Sequence, residues 1–96
     1  MIQSTRITYR VLITGRVQGV CFRDWTKLKA NELGIAGWVR NRETGFVEAV
    51  ISGTREEVEQ MLLAFKIGPE EAKVDSIQTF PHSQPQDQSF YRLSTL

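Results

Sequence analysis

The hydrophobic period of this chain switches from strand-like to helix-like and back twice, and that alternation restricts the fold more than any other feature. From Arg6 to Thr14, Ile7, Tyr9, Val11 and Ile13 fall on one face and Thr8, Arg10 and Thr14 on the other, the mark of a half-buried strand. Phe22 to Leu33 reads as a helix with Phe22, Thr26, Ala30 and Leu33 on a shared face and Trp25 at its margin, stopped by Gly34. Gly37–Asn41 and Phe46–Ile51 read as two strands joined by a tight turn at Glu43-Thr44-Gly45. Thr54-Arg55-Glu56-Glu57 is a capping box, and Val58, Met61, Leu62 and Phe65 follow at helical spacing until Gly68-Pro69. Lys73–Phe80 is a fourth strand with Val74 and Ile77 as core contacts, Pro81–Gln88 a polar loop, and Ser89–Ser94 a short fifth strand. Two interleaved right-handed β-α-β units in this order give an α+β domain. It is a split β-α-β sandwich with an antiparallel sheet of four to five strands and both helices on one face. Many unrelated activities use that arrangement, so it decides nothing about function.

Residues 1–96 form one domain with one modest core, with no repeat and no internal boundary. No apolar run is long enough to span a membrane, and Arg6 and Arg10 interrupt the opening segment where a secretory signal would be continuously apolar. A single cysteine, Cys21, excludes an internal disulfide and fits the reducing cytoplasm. No His, Cys and carboxylate cluster has metal-ligand spacing, so no metal is expected. The formal net charge of +1 hides an asymmetry: residues 1–42 carry eight basic and two acidic side chains, whereas the remainder is net acidic. An anionic ligand would be drawn to the basic half, although charge alone equally describes a solvated surface.

That basic half contains Gly15-Arg16-Val17-Gln18-Gly19-Val20-Cys21-Phe22-Arg23, a glycine-bracketed loop running into a helix. Such a loop aims several N–H groups at one concave space and favours a bound phosphate or carboxylate. Arg23 adds a planar fork of donors. It does so at a helix N-terminus, where a cation costs roughly 0.3–1 kcal/mol, and such local violations often mark function. The loop is neither a nucleotide P-loop, which needs Gly-Lys-Ser/Thr, nor a dinucleotide fingerprint, which needs a third, closer glycine. A helix N-terminus and an adjacent arginine would activate Cys21, but only Phe22 separates it from Arg23, too little to wrap a phosphate as cysteine phosphatases do. Cys21 is expected to be a small buried filler. Asn41, at the end of the second strand, is either a turn-initiating residue or, if the fold brings it near the loop, an amide able to hold a water.

Gly15-Arg16-Val17-Gln18-Gly19-Val20 followed by Phe22-Arg23, and then Gly37-Trp38-Val39 with Asn41, resemble the two signatures of the acylphosphatase family. The resemblance continues through Gly45, Val47, Glu48, Gly53, Gly68-Pro69, Ala72 and Val74 to Phe90-Tyr91. It implies a ferredoxin-like sheet with two helices and hydrolysis of the carboxyl–phosphate bond of acyl phosphates without metal or cofactor. Carried onto this chain, it gives the substrate phosphate to Arg23 and to the loop amides of Arg16, Val17, Gln18, Gly19, Val20, Cys21 and Phe22, and the attacking water to Asn41. The expected partners are a small-molecule acyl phosphate and, as competing anions, inorganic phosphate or sulfate, bound by a cytoplasmic monomer. The chain departs from the pattern in the Pro81–Gln88 loop and in the residues past Tyr91, and neither departure is expected to touch the loop or Asn41.

Two other readings use the same residues. An RNA-recognition fold has this element order, and Arg42, Gly45, Phe46 and Val47 fit its third-strand motif. Glu43 replaces a glycine there, Thr44 and Ala49 replace the outer aromatics, and Glu43 and Glu48 would repel a phosphate backbone, so neither nucleic acid nor a membrane is expected as a partner. A regulatory domain that binds a phosphorylated metabolite would share the loop and differ in lacking turnover.

Overall fold

The computed structural model describes residues 5–85 and 87–96. Its elements are β1 (Arg6–Arg16), α1 (Phe22–Leu33), β2 (Ala36–Asn41), β3 (Val47–Thr54), α2 (Arg55–Ile67), β4 (Lys73–Pro81) and β5 (Phe90–Arg92). The strands form one sheet in the order β4-β1-β3-β2-β5. The four strands of the split unit pair antiparallel, as expected, and the fifth adds to the edge in parallel with β2, Trp38 opposite Tyr91. With β3 between them, β1 and β2 run parallel, so the loop leaving β1 and the last residue of β2 lie at the same end of the sheet.

Both helices cover one face. Phe22, Ala30, Val58, Met61 and Phe65 join Val11, Ile13, Val39, Ala49 and Ile51 in a single buried cluster. The two helices meet through Phe22 and Phe65, whose rings stack with centroids 6.1 Å apart. Both halves of the capping box form, with Thr54 Oγ1 accepting from the Glu57 amide at 3.2 Å and the Thr54 amide donating to Glu57 Oε1 at 2.8 Å. Leu33, Leu62, Val74 and Ile77 are partly buried against the core rather than inside it.

The other face carries no helix. The strand registers place Phe80, Arg10, Val50, Trp38 and Tyr91 in one row across all five strands. Arg10 lies over the Phe80 ring and Arg40 over Trp38, 5.6 and 5.5 Å from the centroids. Long side chains thus shield Val50 and the half-exposed rings. Glu48 is nearly buried there and accepts from both Arg10 (2.5 Å) and Arg42 (3.3 Å), so its charge is compensated in place.

The strand ends differ from the periodicity in instructive ways. The first strand runs two residues past Thr14 because its pairing with β4 shifts register between Thr14 and Gly15. Gly15 has φ 121°, and a Cβ there would lie 2.2 Å from the Lys73 carbonyl oxygen, so only glycine lets the bulge sit this close to β4. The third strand extends to the capping threonine because Gly53 and Thr54 still pair with Ile7 and Arg6. The final strand is shorter than its sequence pattern, ending at Arg92.

Candidate functional site

Five residues, Val17 to Cys21, connect β1 to α1. Val17 and Val20 point into the core and are almost fully buried, which pins the loop at two places. Gln18 ties it from the other side: its Nε2 donates to the carbonyls of Arg42 (2.7 Å) and Phe46 (3.0 Å) in the turn between β2 and β3. Gly19 and Cys21 are both left-handed, with φ 74° and 62°. Turns of that kind converge successive N–H groups on one point.

Cys21 is the N-cap of α1 and offers no side-chain cap. The amides of Phe22, Arg23 and Asp24 have no carbonyl one turn earlier to bond, so the helix presents uncompensated donors at this end. The thiol is exposed, which corrects the expectation of a buried filler. The left-handed backbone turns the side chain away from the core that Phe22 enters.

A cavity of about 290 Å³ opens in front of these amides, and Val17, Gly19, Cys21, Phe22, Arg23 and Asn41 all line it. Loop, arginine and asparagine, 18 residues apart at Arg23 and Asn41, therefore share one hollow. Arg16, Gln18 and Val20 do not line it: Arg16 is the exposed end of β1, Gln18 braces the loop and Val20 anchors it. Asn41 Oδ1 is buried and has no hydrogen-bond partner among the described residues. An orphaned acceptor of this kind costs about 1–3 kcal/mol and calls for an explanation.

The segment after β5 contributes more than its sequence suggested. Leu93 donates its amide to the Val39 carbonyl (2.8 Å), and Leu96 donates to the Asn41 carbonyl (3.1 Å), so residues 93–96 follow β2 to its end. The Leu93 carbonyl accepts from Arg23 Nη1 at 3.0 Å and fixes the guanidinium at the cavity. The expectation that the residues past Tyr91 leave the site untouched is thus overturned, because a segment that extends the edge of β2 necessarily runs beside Asn41. Two further lining residues, Asp24 and Arg92, were missed. Arg92 Nε donates to Asp24 Oδ1 at 2.7 Å. Nothing in the local pattern links residues so far apart.

Chemically, the hollow presents backbone donors, one tethered guanidinium and the side-chain amide of Asn41. Among the described residues no group of three or more His, Cys, Asp or Glu side chains is placed to hold a metal ion. Among the described residues no helix is long and apolar enough to cross a membrane. The shifted acidities lie outside the hollow. Asp87 sits below the ordinary carboxylate value because it accepts from the Ser89 amide and the Tyr91 hydroxyl, and Tyr91 is raised mainly by that same bond.

Residues 9–92 match the family model described as Acylphosphatase. An acylphosphatase of Rhodospirillum rubrum is 45% identical over 89 residues, spanning 93% of this chain and 98% of that protein. One from Nitrobacter winogradskyi is 48% identical over 75 residues, spanning 78% and 76% of the two chains. Among solved structures, an acylphosphatase from Coxiella burnetii superimposes with a TM-score of 0.89 at 30% identity, covering 97% of this chain and 100% of that one.

Proposed function

The chain belongs to the acylphosphatase family, and from that premise we propose that it hydrolyses small-molecule acyl phosphates to a carboxylate and inorganic phosphate in the hollow between the β1–α1 loop and Asn41. The phosphoryl group sits against the amides of the loop and the first helical turn, with Arg23 on its oxygens. Water attacks phosphorus, the phosphorus–oxygen bond to the acyl group breaks, and the carboxylate leaves with the bonding electrons. The water's proton passes to a phosphoryl oxygen.

A carboxylate is already a good leaving group, so positioning and charge stabilisation supply most of what the reaction needs. Donors fixed before reaction are worth about 3–4 kcal/mol each in comparable oxyanion sites. Asn41 orients the water through its side-chain amide, whose N–H donates to the water oxygen and leaves a second lone pair aimed at phosphorus. The observation that carries this reading is the one hollow that Arg23 and Asn41 line together with Val17, Gly19, Cys21 and Phe22 of the loop. On this reading the reaction needs neither metal nor cofactor, and the protein acts as a cytoplasmic monomer without nucleic-acid or membrane partners.

The test is hydrolysis of benzoyl phosphate with excess chelator present. The expected result is undiminished turnover, inhibited competitively by inorganic phosphate or sulfate. Absence of turnover would leave only a metabolite-binding module, and loss of turnover on chelation would refute metal independence.

A further inference from the structure

Asp24 and Arg92 face the same hollow as Arg23 and Asn41, yet no step of the proposed reaction uses them. Asp24 lies in the first turn of α1, where a carboxylate suits the helix dipole. The same position puts a negative charge on the wall of an anion pocket, where an unpaired carboxylate repels a dianion across a few ångströms. Arg92 reaches over from β5 and engages that carboxylate through Nε. The two side chains are 68% and 41% exposed, so the pair adds little to folding stability. Its consequence is local, at the mouth of the hollow.

We propose that Arg92 is a positioning residue that masks Asp24, holding its carboxylate in an ion pair so that the pocket wall does not repel an incoming dianion. The inference rests on the reading of this hollow as a phosphoryl site. The ion-pair partner of Asp24 among the described residues is Arg92, while Arg23 Nη1 donates to the Leu93 carbonyl. A strand that pairs in parallel with β2 and packs against α1 thereby adjusts the pocket's charge without contributing to the chemistry.

Sulfate affinity measured by calorimetry at low ionic strength, on the wild type, R92Q, D24N and R92Q/D24N, tests this. R92Q is expected to bind sulfate about tenfold more weakly, with KM for benzoyl phosphate rising in proportion and kcat within twofold. The deficit shrinks as salt screens the freed carboxylate. The double variant is expected to return to within twofold of wild type, because no charge remains to be masked. A merely structural role for Arg92 would show no such rescue. A double variant as weak as R92Q would mean that Arg92 touches the anion itself, and an R92Q protein with wild-type affinity would mean that the pair is idle. Either result overturns the inference while the wild type still binds sulfate. Failure of the wild type to bind would overturn the phosphoryl-site reading and this inference with it.

Discussion

Asn41 separates a structural role from a functional one with unusual clarity, because the two predict opposite effects of Asn41→Ala on stability. Its Oδ1 is buried without a partner among the described residues, and relieving such an acceptor returns about 1–3 kcal/mol. Asn41 is half-buried, so truncation sacrifices packing worth less than about 1 kcal/mol. Its backbone bonds, including that from the Leu96 amide, survive the change. The balance is a gain of about 1 kcal/mol, or about 4–8 °C in Tm for a domain of this size. The same variant loses its hold on the water, and misplacement of a reacting group costs about 10²-fold in kcat. Sulfate affinity, which depends on Arg23 and the loop, stays within threefold. Calorimetric melting without anion, benzoyl phosphate turnover and sulfate titration together make the assay. A Tm lowered by several degrees with kcat preserved would show Asn41 to be a turn residue and would refute the argument.

Four further outcomes are expected. Arg23→Ala lowers kcat/KM several hundredfold or more, consistent with loss of a preorganised donor worth about 3–4 kcal/mol; near-normal hydrolysis would remove Arg23 from the site. Gln18→Ala breaks two bonds to carbonyls and lowers stability by about 1–3 kcal/mol in denaturant melts, while an unchanged midpoint would mean the brace carries no load. Cys21→Gly relieves a left-handed backbone costing about 1–2 kcal/mol against an unfolded-state penalty of about 0.4–1, so Tm holds or rises by a few degrees; a clear fall would refute the strain. Asp87 is held low by the Ser89 amide and the Tyr91 hydroxyl, so its contribution to stability is complete above the ordinary carboxylate value and is lost as pH falls through the lowered one. Tyr91→Phe moves that titration upward in carbon-detected NMR, and an unmoved midpoint would deny the bond.

Local chemistry was legible and long-range pairing was not. The capping box at Thr54, the Gly34 stop and the apolar spacing of α2 depend on residues within a few positions of one another, and all appear in the structure. The glycine loop was visible for the same reason. Cys21 departs from the burial expected of its residue type because residue type carries no backbone handedness, and the left-handed Cys21 leaves its thiol exposed beside the buried Phe22. The Arg23–Leu93 bond and the Asp24–Arg92 pair join residues about 70 positions apart, and only the parallel docking of β5 on β2 brings them together. The bulge at Gly15 likewise requires β4, which follows some 60 residues later.

The Leu93 carbonyl on Arg23 also decides when the pocket exists. Contacts that span so much of the polypeptide carry a large closure entropy, and a short edge segment opens more readily than the core. Turnover should therefore report on the docking of residues 93–96 more sensitively than circular dichroism does, and it should fade on warming before the helices melt.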